Sequence, residues 1–481
     1  MADPNLLLVL GSLLVPAVAA LTLPTHARIL RRVAVTACAV AALLAAAAAG
    51  ASTVLVQGDS AVGAWLDGGR VPALGAAIYA LTAMLAFLLA PARDLTRARV
   101  AALLVTVSGT VTACVAGNPV TLLVGWTVGA APFVVGPFAS GAAWRPRAAL
   151  AASCLALGAG VALMLTSPGG HGIAAFARLA GTHAGGPAAF ALVMLAIVLR
   201  KGIFPAHAWV ADLAEQGGLP ISLLVNGHLG AVVLARVLIP VFPDTVGSAF
   251  VLLSDLALFT ALYAAVRAVA EPRPARILAL LVLSQSACIL AGLESGTAEG
   301  TTGAFVHLAV VALSTTALFG VLRAVEARGG HLDLSHHQGL AQAMPRLAVG
   351  FAIAGLALVG IPGTLGFAAE DLLVHGSLAS HPQVGLLLPI ATALNAVCLF
   401  RLFSRLFLGT ARPAVTGLVD ALPRERWALT AIIVLLVAGG VAPGLVLGWT
   451  VEPAAARAHR TSAPDAPSVR TVSLQQGRAF E

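Results

Sequence analysis

The sequence is short of charge. Only 10% of its 481 residues are Asp, Glu, Lys or Arg, against about 25% in a soluble domain. That deficit excludes an ordinary soluble enzyme of this size. Lysine is nearly absent: of 28 basic residues, 27 are arginine and Lys201 is the one lysine. Cysteine is scarce too. Cys38, Cys114, Cys154, Cys288 and Cys398 each lie inside an apolar run, and none forms a CxxC pair. That pattern gives no disulfide framework and no zinc or iron–sulfur spacing. There is no P-loop, no GxGxxG in a βαβ setting and no Ser-His-Asp signature. No catalytic machinery, cofactor or metal is therefore expected. Alternating β-barrel patterning is missing. Only Asp3 precedes the first apolar run, so without a basic n-region no cleaved signal peptide is expected.

Apolar length is what the chain has in abundance. It is 59% hydrophobic with a mean hydropathy of +0.96, and runs of about 20 apolar residues recur throughout, each long enough to cross a bilayer as a helix. Fourteen spans are predicted, near residues 5–23, 33–56, 71–91, 99–117, 119–142, 148–167, 187–204, 220–242, 247–269, 275–293, 303–325, 346–377, 384–409 and 427–449. The expected fold is thus an all-α polytopic membrane protein. Residues 450–481 read as a disordered polar tail, rich in Pro, Ser, Arg and Gln.

The formal net charge of +8 invites a nucleic-acid reading, but the positions of the charges argue for a membrane topology and against nucleic acid. Loops after odd-numbered spans, with their span ends, hold 21 basic residues, from Arg28 to Arg426. Loops after even-numbered spans hold Arg70 and Arg178 only. The positive-inside rule then places the odd loops in the cytoplasm and both termini on the other side of a bacterial-type cytoplasmic membrane.

Two spans carry interruptions. The seventh stops at Phe204-Pro205, and the twelfth contains Gly360-Ile-Pro362-Gly363-Thr-Leu-Gly366 in its middle. Proline removes a backbone donor, and freed backbone groups persist in a membrane only where protein or water satisfies them. Ordinary kinks would give the same local pattern. Matched breaks in two halves are the sequence mark of a transport site. Grouping spans 4–8 and 9–13 as five-helix repeats puts each break on the fourth helix. The expected organisation is residues 1–98 as N-terminal helices, 99–242 and 247–409 as two inverted repeats, 427–449 as a last span, and 450–481 as the tail.

Several stretches share a resemblance. They are Asn118-Pro-Val-Thr-Leu-Leu-Val-Gly-Trp126, Lys201-Gly-Ile-Phe-Pro205-Ala-His207-Ala-Trp209, Leu219-Pro220-Ile-Ser222, Ser284-Gln285, His307, Gly360-Ile-Pro-Gly-Thr-Leu-Gly-Phe-Ala-Ala-Glu370, Arg401 and Leu408-Gly409. Together the chain resembles, over about residues 110–410, the antiporter-like proton-conducting subunits of respiratory complex I, multi-subunit sodium/proton antiporters and membrane-bound hydrogenases. The resemblance implies fourteen helices, two inverted five-helix repeats, a polar axis at mid-membrane, and ion translocation coupled to a partner's reaction.

The titratable residues in the spans are the candidate relay groups. In the family the lysine at the seventh-span break relays protons. The chemistry suits that use, because burial disfavours the charged ammonium while arginine does not release its proton. A snorkelling lysine is the alternative, yet an arginine-rich chain uses lysine at this position alone. Glu370 follows the second break, where relatives carry Lys or Glu, and Asp371 is placed to share its site. His307, within the eleventh span, is a relay or a core histidine. Asp255, within the ninth, is a relay or a group near an interface. His207 and His228 flank the first break. His336-His337 lies in a loop and is a weak metal signal. Two positions depart from the family: Thr127 stands where it has a glutamate after Gly-Trp, and Thr315 where it has a central lysine.

Three readings follow. One is a proton-translocating membrane subunit, of a redox complex or of a proton-driven inorganic-carbon uptake complex. The second is a structural anchor that has lost conduction. The third is a free-standing transporter. The first implies other membrane and peripheral subunits, protons or sodium ions, and the lipid bilayer as partners.

Overall fold

A computed structural model of the chain describes residues 4–22, 26–51, 66–67, 69–139, 144–166, 176–330, 332–410 and 417–447. The expected polar tail lies outside the described residues.

The described residues are almost wholly helical. The first half contains α1 (Pro4–Thr22), α2 (Ala27–Ala51), α3 (Arg70–Leu89), α4 (Arg97–Cys114), α5 (Pro119–Val134), α6 (Trp144–Thr166), the single turn α7 (Phe176–Leu179), α8 (Gly186–Lys201), α9 (Ala208–Ala214), α10 (Gly218–Val225), α11 (Leu229–Val233) and α12 (Ile239–Val241). The second half contains α13 (Pro243–Ala270), α14 (Pro274–Glu294), α15 (Ala298–Gly329), α16 (Pro345–Leu358), α17 (Leu365–Ser380), α18 (Pro382–Phe407), α19 (Pro423–Val441) and α20 (Pro443–Leu447). Among the described residues the β-structure is one isolated bridge, Leu66 to Ala116. Among the described residues nine helical stretches are long and apolar enough to cross a bilayer.

Local chemistry sets the helix ends. Asn118 and Thr297 cap α5 and α15 by accepting hydrogen bonds from Thr121 N (2.9 Å) and Gly300 N (3.0 Å). Proline occupies the first turn of α5, α13, α14, α16, α18 and α19, where its missing N–H costs nothing. Helices pack where side chains vanish: a Cβ on Gly109 of α4 would overlap the backbone of Gly129 on α5, so the two backbones touch directly.

The bundle is apolar outside as well as inside. Leu43, Val135, Leu155, Leu252, Phe400 and Trp427 are all exposed, as a lipid-facing surface requires. α14 is enclosed along its whole apolar span, and α10–α12 and α15 are nearly so. Polar residues on these central helices therefore face protein.

The arginine-rich end is stitched by ion pairs. Asp94 takes three hydrogen bonds from Arg323 (2.8, 3.0 and 3.2 Å), and Glu326 pairs with the same guanidinium (2.6 Å). Glu425 holds Arg328 (2.6 Å) and Arg424 (3.0 Å). Asp212 bridges Arg145 (3.2 Å) and Arg276 (2.9 Å), and Glu215 pairs with Arg273 (2.6 Å). At the other end Arg236 pairs with Asp67 (2.6 Å).

Candidate functional site

Three interruptions shape the interior. α8 ends at Lys201 because Gly202 adopts a left-handed conformation (φ +69°), and the chain turns through Phe204-Pro205 before α9. Phe204 N, freed by the break, donates to Thr260 Oγ1 at 3.1 Å. α16 and α17 are separated by Gly360 (φ +64°) and Gly363 (φ +88°), with Pro362 between them and Gly366 in the first turn of α17. The third interruption lies between α10 and α11, where His228 is left-handed (φ 43°).

The two breaks at Lys201 and His228 meet. Lys201 is buried, and its Nζ donates to Ser286 Oγ on α14 and lies 3.4 Å from His228 Nδ1. Its stem packs against Gly230, where a Cβ would overlap the lysine Cγ. Next to Ser286 on α14, Gln285 faces His307 of α15, with Oε1 2.8 Å from the ring Nε2. Both histidines are buried, and each leaves its other ring nitrogen without a partner. The lysine side chain thus points to α14 and the His228 turn.

Hydrogen-bonded amides and hydroxyls flank this file. Asn226, at the end of α10, donates to Ala312 O (3.1 Å) and Thr316 Oγ1 (3.0 Å) and accepts from Thr315 Oγ1 (2.9 Å). Asn395 of α18 donates to Ser284 Oγ at 2.8 Å. α14 thus presents Ser284, Gln285 and Ser286 in succession, each to a different neighbour. One turn before Asn395, Thr392 donates to Glu370 Oε1 at 3.2 Å. Glu370 lines a cleft of about 240 Å³ bounded by Cys288, Val359, Leu373, Leu388, Pro389 and Thr392. Its other carboxylate oxygen lies beside Gly360, where a Cβ would strike it. The glutamate therefore sits against the second break.

Other candidates lie apart. Asp255 is exposed on the outer face of α13. Asp371 is exposed too and pairs with His375 (3.4 Å) instead of Glu370. His207 stacks on Phe204 (5.5 Å between centroids) and meets Tyr263 edge-on (4.8 Å) beside the first break. His337 Nδ1 lies 2.9 Å from Ser404 O. Among the described residues no group of three or more His, Cys, Asp or Glu side chains is placed to hold a metal.

At the two departures from the family pattern the hydroxyls are satisfied locally. Thr127 Oγ1 donates to Leu123 O (2.7 Å) in its own helix, and Thr315 serves Asn226.

Sequence reasoning centred on titratable groups missed Asn226, Ser286, Thr392 and Asn395. It also missed Glu294, buried at the end of α14. It read Arg200 as a loop charge. Arg200 is buried, its guanidinium is 5.1 Å from the Trp126 ring centroid, and Nη1 and Nη2 have no hydrogen-bond partner. The adjacent Arg200-Lys201 pair thus points two ways, the arginine to α5 and the lysine to α14.

A multi-pass helical membrane protein, with helices broken inside the bundle and titratable side chains gathered at the breaks, is the class that this fold and site define. The chain belongs to the NADH:quinone oxidoreductase/Mrp antiporter transmembrane family, which it matches over residues 137–395. It is 32% identical over 253 residues to NADH-quinone oxidoreductase subunit 13 of Thermus thermophilus, covering 52% of this chain and 53% of that protein. The matched segment spans about half the length of the curated relatives. A chain in the structure of respiratory complex I from Thermus thermophilus with bound NADH superposes with a TM-score of 0.82 at 25% identity, over 95% of this chain and 100% of that one. A chain of the Mrp complex from Dietzia sp. shares the fold, with a TM-score of 0.82 at 20% identity over 96% and 98%.

Proposed function

We propose that this chain is a proton-translocating membrane subunit of a larger energy-coupling complex, working with other membrane and peripheral subunits. The observation that carries the reading is Lys201. The one lysine of an arginine-rich chain is buried at a helix break, against Ser286 and His228, at one end of a file that includes Gln285 and His307. A group that must gain and lose a proton inside the protein has to be a lysine and not an arginine. Glu370, at the second break, is the relay group of the other half. His228 meets Lys201 and His307 meets Gln285, each through one ring nitrogen that accepts or donates as the tautomer changes. His207 borders the entry at Pro205.

In this reading the chain crosses a bacterial-type cytoplasmic membrane fourteen times. Residues 99–242 and 247–409 are inverted five-helix repeats, 1–98 and 427–449 flank them, and 450–481 is a polar tail. The arginine-rich loops face the cytoplasm, and both termini lie on the opposite side.

A structural anchor without conduction is the second reading. What favours it is that Thr127 and Thr315 carry no charge where the family carries Glu and Lys. One experiment separates the two. The complex bearing Glu370→Gln is purified, its assembly is checked, and proton uptake is followed with a pH-sensitive dye in proteoliposomes. The substitution keeps shape and hydrogen bonding to Thr392 but removes titration. Loss of coupled uptake in an assembled complex supports conduction. Normal uptake makes this subunit an anchor in at least its second half.

A further inference from the structure

Among the described residues most ionisable groups are buried, paired or at the ends of the bundle. Asp255 is none of these. It lies in the apolar segment Ala249–Ala270 of α13, six residues in from the start, which is about 9 Å along a helix rising 1.5 Å per residue. The whole segment covers about 33 Å, close to the ~30 Å hydrocarbon thickness of a bilayer. Asp255 thus lies within the apolar segment, less than two turns from its start.

Its surroundings offer it nothing. Among the described residues Asp255 has no hydrogen-bond or ion-pair partner, and it is exposed. Its face is a stripe of exposed apolar residues at helical spacing: Leu252 (72%), Phe259 (48%) and Val266 (56%). α18 lies alongside, tied to α13 through Cys398 and Ala265 O (3.7 Å) and through Arg401 and Ala268 O (3.1 Å). It widens the surface with Val397 (57%) and Phe400 (69%). An ionisable side chain turned towards lipid is costly, and such groups are almost always turned inward or paired. Here the chain provides no inward turn and no pair.

We infer that the α13 face centred on Asp255 is an intramembrane subunit interface, and that its occupant is a transmembrane helix of a different subunit carrying a lysine, arginine or histidine at the depth of Asp255. The charge selects the occupant. A second copy of this chain meeting the face across a two-fold axis would set Asp255 against its own mate, like charge on like. A basic side chain on a neighbouring helix satisfies the carboxylate, and the apolar stripe to either side seats the rest of that helix. The inference rests on the chain being a subunit of a complex. It does not depend on proton conduction.

The test uses the full chain in its native membrane. A photo-crosslinking amino acid replaces Leu252, one turn from Asp255, and in a separate variant Leu155, exposed on α6 away from this face. We expect the Leu252 probe to join one membrane subunit, with the crosslinked peptide carrying a basic residue inside a transmembrane helix, and the Leu155 probe not to join that peptide. In parallel, Asp255→Leu, which lipid would welcome and which leaves the buried core untouched, should reduce retention of that subunit during purification at least tenfold, and Asp255→Glu should restore it. Leu252 adducts to lipid alone or to a second copy of this chain overturn the inference. So does retention of the subunit by Asp255→Leu within twofold of wild type. If these results come from a chain that still purifies with other subunits, the proposed function stands and only the face is wrong. If no subunit accompanies the wild-type chain, both fall.

Discussion

Replacing Lys201 by arginine tests the relay most directly. The structure fixes what changes. The lysine Nζ reaches Ser286 Oγ and His228 Nδ1 (3.4 Å), and its stem lies on Gly230. Arginine keeps the charge and nearly the length, and its planar fork can still donate to Ser286. What it loses is the ability to give up a proton. Removing a positioned acid–base group slows a proton-transfer step by about 10²–10⁴-fold, or about 2.7–5.4 kcal/mol at 1.36 kcal/mol per tenfold. Coupled proton uptake by the reconstituted complex should therefore fall at least a hundredfold. The guanidinium is bulkier than the ammonium it replaces beside Ser286 and His228, so assembly has to be measured separately. Lys201→Met, which removes the charge and keeps an unbranched stem against Gly230, serves as the control. An assembled Lys201→Arg complex that pumps within about threefold of wild type would refute the argument, and Lys201 would then be a fixed cation.

Two further outcomes are expected. Asp94→Asn leaves Glu326 (2.6 Å) as the one carboxylate paired with Arg323. Breaking a fully buried pair costs about 3–5 kcal/mol, and with Glu326 retained about 2 kcal/mol is expected, read as a lower unfolding midpoint in detergent; an unchanged midpoint would show that the pair does not hold α15 to the Asp94 turn. A membrane-impermeant thiol reagent should reach a cysteine placed in the 332–344 loop only from the cytoplasmic side, and labelling from the other side would invert the topology.

The helix breaks illustrate what a sequence can disclose. Pro205 and the Gly360-to-Gly366 cluster announce themselves, because proline and glycine act on their own backbone whatever surrounds them. The interruption at His228 contains no proline. Its only local signal is Asn226-Gly227, a turn pair inside an apolar run, and the left-handed histidine follows from how α10 and α11 dock. Lys201 was legible through its uniqueness. Its neighbours were not, since Ser286, Asn226 and Asn395 matter for where α14, α10 and α18 point them. Asp255 shows the opposite difficulty. α13 is apolar on every side, so no periodicity marks its inward face, and only the packed bundle assigns the aspartate to the outside. Arg200 looked like any loop arginine until Trp126 closed over it.

Having a single lysine has a practical side. Amine chemistry is the usual way to map membrane complexes, and in the described part of this chain its one side-chain target is enclosed by α8, α11 and α14. Amine-reactive crosslinkers and lysine-specific proteases will pass over the folded subunit, and its neighbours will look as though they touch nothing here. The same scarcity makes Lys201 a clean reporter. Isotopic methylation of the separately purified, briefly opened chain would mark one side-chain nitrogen, whose methyl resonance follows the interior of the subunit without assignment.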